Sequence, residues 1–141
     1  MITRKIACGA GFSLALMFAV PAVAQNIAPL QGNWLGNGCF GKGGPFAVSY
    51  SIHGNSTTLH GMITNTHNIP MDSTAPASYR TVGGQTELVS ETKSKNFKFV
   101  LRTTSRSGEL SGTMNGLKIV LNKGPVASLP QYYTAYAGFC D

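Results

Sequence analysis

The sequence predicts an all-β domain, a small antiparallel up-and-down barrel of about eight strands. Apolar residues alternate with small polar ones at a period of two, the pattern of a strand with one buried face. Two-residue turn signals, Gly54-Asn55, Gly83-Gly84 and Asn115-Gly116, separate these segments. Helical periodicity is scarce, and the chain's 17 glycines suit tight turns and bent strands. Closure into a barrel removes the open edges of such a meander. A two-sheet sandwich is the alternative arrangement.

The first strand starts at 30–35, Leu30-Gln31-Gly32-Asn33-Trp34-Leu35. In the second, Phe46, Val48, Tyr50 and Ile52 alternate with Ala47, Ser49 and Ser51. Gly54-Asn55 turns the chain and 57–63 returns it. The polar stretch 64–76 holds two prolines, Pro70 and Pro76, and is expected to be a loop. A second hairpin joins 77–82 to 85–91 through Gly83-Gly84. Phe97, Phe99 and Leu101 then face one way, with Lys98 and Arg102 facing the other. Ser105 to Gly108 turns into 109–114, and Asn115-Gly116 makes a type I′ turn into 117–121. From Lys123 onward the tail carries Pro125 and Pro130, then Tyr132, Tyr133, Tyr136, Phe139 and Cys140, without an assigned element.

Residues 1–24 read as a cleaved secretory signal peptide, leaving 25–141 as a single domain. Arg4 and Lys5 form the basic start, and 6–20 is an uncharged apolar run. Ala22-Val23-Ala24 supplies the small-x-small site before Gln25. The apolar run is shorter than the roughly 18–20 residues that span a bilayer, so no transmembrane segment is expected in the mature form. These features predict a periplasmic or secreted protein.

With Arg4 and Lys5 gone, nine basic residues face five acidic ones, a net charge of about +4. That balance favours an acidic partner through long-range attraction. It lacks the dense Lys/Arg footprint of a nucleic-acid binder. Removing the leader also takes Cys8 and leaves Cys39 and Cys140 near the two ends. In an oxidising compartment such a pair is expected to form a disulfide.

The residues that carry chemistry are sparse, and no enzymatic activity or cofactor is expected. The acids are Asp72, Glu87, Glu91, Glu109 and Asp141. Glu87 and Glu91 share one strand face and are expected to point to solvent, not to form a catalytic pair. His53, His60 and His67 fall seven apart. His53 and His60 flank the first hairpin and are the candidate metal ligands, although no third ligand accompanies them. No Gly-x-Ser-x-Gly elbow is present. Gly36, Gly38, Gly41, Gly43 and Gly44 surround Cys39 in an expected loop with no helix behind it, which excludes a phosphate-binding motif.

Leu30-x-Gly32-x-Trp34 resembles the opening of lipocalin-type barrels, whose tryptophan plugs the closed end. That resemblance implies a carrier of a small apolar ligand, with Tyr50, Ile52, Phe97, Phe99 and Leu101 lining the interior. Ser105-Arg106-Ser107-Gly108, followed by 116–129 with Lys123-Gly124 and Ala127, and ending at Cys140, is similar to periplasmic inhibitors of C-type lysozyme. Those are small eight-stranded barrels. The similarity implies that Ser107 and Lys123 are presented to the acidic cleft of a lysozyme. The function expected is therefore that of an exported binding protein, whose partner is a protein such as lysozyme or a small apolar ligand. An envelope structural or interaction role is the other alternative.

Overall fold

A computed structural model describes residues 25–65, 67–136 and 140. The expected signal peptide at 1–24 lies outside them. Eight antiparallel strands follow one another: β1 (Gly32–Cys39), β2 (Pro45–His53), β3 (Ser56–Thr64), β4 (Asn68–Val82), β5 (Gln85–Glu91), β6 (Lys98–Thr103), β7 (Glu109–Met114) and β8 (Leu117–Lys123). Each pairs with its neighbour in the chain, and β8 returns to β1, so the sheet is a closed barrel and not a sandwich. A helix, α1 (Leu129–Tyr136), follows β8 after a short 3-10 turn at Val126–Ser128. Cys39 and Cys140 are joined by a disulfide with their Cα atoms 5.7 Å apart.

Three segments differ from expectation. The strand β1 runs through the glycines to Cys39. Its Gly38 sits where an added Cβ would lie 2.5 Å from the Phe46 ring and 2.7 Å from the Lys118 carbonyl, so strand crowding, not loop freedom, requires glycine there. The expected loop at 64–76 is mostly strand: β4 spans 15 residues, pairing with β3 as far as Pro76 and with β5 from Ala77 on. Prolines are tolerated because the 68–76 stretch has a ladder partner on one side only. The tail forms α1, with Pro130 in its first turn, where a missing N–H breaks no helical bond.

Alternation in β2 sets the core. Phe46, Val48, Tyr50 and Ile52 point inward, none more than 1% exposed, and meet Leu59, Leu88, Phe99, Leu101, Leu110, Ile119 and Leu121. Burial of each such side chain contributes roughly 1.5–3 kcal/mol. Tyr50 stacks on Phe99 at 4.1 Å between ring centroids, and its hydroxyl pairs with that of Ser90. The outward residues Ala47, Ser49 and Ser51 are buried too. A smaller outer cluster of Leu35, Ala47, Ile63 and Leu129, flanked by Tyr132 and Tyr133, accounts for this: α1 lies across the outside of β1 to β3. Tyr132 fastens the helix, donating to Asn37 Oδ1 at 2.8 Å and accepting from Asn122 Nδ2 at 3.0 Å. Among the described residues, no helix is long and apolar enough to cross a membrane.

Burial pushes the Tyr50 hydroxyl up to about 12, the hydrogen bond from Ser90 opposing it, and burial does the same to Tyr132. Below pH 10 folded and unfolded chains both keep these protons. Above it the unfolded chain releases them first, so stability falls between about pH 10 and 12, by about 2–3 kcal/mol for Tyr50. Tyrosinate absorbance followed with circular dichroism should show late-titrating tyrosines ionising together with unfolding; Tyr50→Phe should lose its share of that alkaline dependence. The bridge closes a separation of 101 residues. The double variant Cys39→Ser/Cys140→Ser should lose about 4–5 kcal/mol in urea denaturation.

Candidate functional site

The candidate site is at one end of the barrel, where the β6–β7 loop meets the end of β8. In that loop Thr104 accepts a hydrogen bond from the Arg106 backbone N–H at 3.0 Å and donates to Glu109 Oε1 at 2.9 Å. These two bonds hold Ser105, Arg106 and Ser107 outward, all exposed. Lys123 N then donates to the Gly108 carbonyl at 3.1 Å. Ser107-Gly108 and Lys123, 15 residues apart in sequence, are thus brought side by side. Both line a concavity of about 650 Å³, together with Pro29, Thr103, Arg106 and Glu109.

Lys123 is tied to the barrel as well as facing the concavity. Its ammonium donates to the Gln31 carbonyl at 2.7 Å and stands 5.0 Å from the centre of the Trp34 ring. Trp34 is itself fixed, its Nε1 donating to the Leu30 carbonyl at 3.0 Å. The lysine passes over Gly32, which has φ +115°; a Cβ there would come within 2.8 Å of Nζ. The expected pair therefore includes one preorganised cation. Arg106 adds a second, with its side chain 81% exposed and 3.8 Å from Glu109 Oε2. Arg106 is not among the expected site residues, and its place inside Ser-x-Ser-Gly is the signal that points to it.

The other expected sites are dispersed. His53 ends β2 opposite Ser56. His60 is the extra residue of a bulge in β3, between the pairs Ser49–Gly61 and Tyr50–Leu59. It stands four residues, about 13 Å of strand, beyond Ser56. Its Nε2 is 2.6 Å from Ser51 Oγ, so its partner is a serine and not His53. Among the described residues, no cluster of three or more His, Cys, Asp or Glu is placed to hold a metal. Glu87, expected in solvent, is buried. It lies between Arg80 and Arg102 in the strand register, and Arg80 Nε reaches its Oε1 at 2.6 Å. Glu91 is exposed opposite Lys98. These carboxylates serve cross-strand charge pairing. Tyr50, Ile52, Phe97, Phe99 and Leu101 do face inward, packed against one another in the main core.

No family model matches this chain, and no curated protein or solved structure matches it. Any functional assignment rests on the geometry of the chain itself.

Because Lys123 closes the barrel end, Lys123→Met should cost about 1 kcal/mol, the worth of a half-solvated charged hydrogen bond and a cation over an indole. The chain has a single tryptophan, so its fluorescence reads the change directly. Urea denaturation and a shifted emission maximum in the folded state would verify it.

Proposed function

We propose that this chain is an exported, non-enzymatic binding protein that inserts the Ser107–Lys123 end of its barrel into the acidic cleft of a hydrolase, a C-type lysozyme being the sharpest case. One observation carries the reading: Ser107 on the β6–β7 loop and Lys123 at the end of β8 line a single concavity edged by the exposed Arg106. A lysozyme-type cleft holds two carboxylates, one ionised and one protonated. The lysine ammonium is suited to the ionised one, and the serine hydroxyl to the other. Lys123 is already oriented by Gln31 and Trp34, so little side-chain freedom is lost on docking. Arg106, exposed on the β6–β7 loop, is suited to an acidic rim.

The test is lysozyme turnover in the presence of the purified protein, compared with its Ser107→Ala and Arg106→Glu variants. Wild type should inhibit stoichiometrically, and the double variant should weaken inhibition at least about tenfold, roughly the worth of one charge-assisted contact. Both substitutions lie on an exposed loop and leave the fold intact, which Lys123→Ala does not guarantee. Absence of inhibition, or inhibition indifferent to both changes, would refute the assignment.

A further inference from the structure

A second concavity, of about 300 Å³, lies on the barrel wall beneath the start of α1, away from the Ser107–Lys123 end. Ser49 lines it. This serine is on the outer face of β2, wholly buried, and its hydroxyl has no hydrogen-bond partner among the described residues. An unpaired buried hydroxyl is costly, and the same strand face shows the cheaper solution: Ala47, two residues earlier, is equally buried and carries no polar atom. The next outward serine, Ser51, is fully engaged, donating to Asn33 Oδ1 at 2.7 Å and bonded to His60 Nε2 at 2.6 Å. The orphan is therefore specific to position 49.

The local backbone explains why space remains there. His60 is the bulge residue directly across from Ser49, and Gly61, paired with Ser49, has no side chain. An added Cβ at Gly61 would make only ordinary contacts, 3.5 Å to the Ile69 carbonyl and 3.6 Å to Leu129 Cδ2. The walls are largely apolar, from Ile63, Pro70, Val126, Leu129 and Pro130, and His60 and Asn68 supply the remaining polarity. None of the residues lining the concavity is Lys, Arg, Asp or Glu. Its volume is at the small end of the range for ligand sites, and an apolar lining with a few convergent polar groups is the usual makeup of one.

We propose that this concavity binds a small uncharged molecule with an apolar body and one hydrogen-bonding end, which the Ser49 hydroxyl engages. The site is independent of the lysozyme reading. An acid or an ammonium would meet no counter-charge there, and burying either unpaired is prohibitive. A purely hydrocarbon guest would leave Ser49 orphaned.

Phenol and benzene, one apolar ring with and without a hydroxyl, are the probes, titrated into the folded protein while its amide resonances are followed by NMR. Phenol should shift the Ser49, Gly61 and Leu129 amides saturably, and benzene should bind about fivefold more weakly, the loss of one neutral hydrogen bond. Ser49→Ala should abolish the difference between the probes without lowering the melting temperature. Ala127→Trp, placed on the exposed lip, should block both probes and leave the barrel's circular dichroism unchanged. The proposal is overturned if phenol gives no saturable shift at these amides. It is equally overturned if phenol keeps its preference in Ser49→Ala, or if crystals soaked in phenol show only ordered water on Ser49.

Discussion

Closure of the sheet between β8 and β1 is the constraint on which the remaining structure depends. Trp34 pairs with Lys123, Leu35 with Asn122 and Gly38 with Ile119 across that seam. Three further ties reinforce it: the Lys123 ammonium on the Gln31 carbonyl, Tyr132 bridging Asn37 and Asn122, and the disulfide from the end of β1 to the tail. Without the seam, β1 and β8 would be open edges, each with an unpaired row of backbone donors and acceptors. The concavity holding Ser107 and Lys123 exists only because the seam brings Pro29, ahead of β1, against the β6–β7 loop.

Next to that seam, paired with β1, is β2, buried on both faces along most of its length. Inward it carries large residues, outward small ones, because α1 must come close enough to cover Leu35, Ala47 and Ile63. Small outward residues bring the helix near, and the pairing of β2 with β3 is interrupted by the bulge at His60. Both concavities therefore sit where regular pairing gives way, one at a loop and one at a bulge.

What could be foreseen from the residues follows from how local each signal is. The β2–β3 hairpin was legible because Phe46 to Ile52 alternates strictly and Gly54-Asn55 fits a two-residue turn. The bridge was legible because the expected loss of residues 1–24 leaves two cysteines, Cys39 and Cys140. Three elements were hidden by composition. Gly36 and Gly38 look like loop residues until their neighbours are in place, Ile119, Leu121 and Val48 against the first, the Phe46 ring and the Lys118 carbonyl against the second. Pro70 and Pro76 look like breakers until a one-sided partner makes them harmless. The helix is only eight residues long, and although Ser128 and Pro130 are start signals, it has no acidic residue in its first turn and no basic one in its last to mark its extent. At the candidate site, Ser107 and Lys123 were reachable through a family resemblance. The contact of Lys123 with Trp34 was not, because it depends on the β8–β1 register, which no short window of sequence contains. The burial of Glu87 was missed for the same reason: it needs Arg80 and Arg102 on two different neighbouring strands.

The proline-bearing half of β4 has a consequence for the life of the molecule in a crowded compartment. From Asn68 to Pro76 the cylinder presents a flank without a ladder partner on the β5 side. Pro70 and Pro76 delete amide donors from that flank, and Asp72 is exposed along it with a charge. A strand from another molecule arriving there finds an interrupted row of donors and a carboxylate, so it gains too few hydrogen bonds to stay. Sideways growth of the sheet into fibres is thereby disfavoured along this stretch.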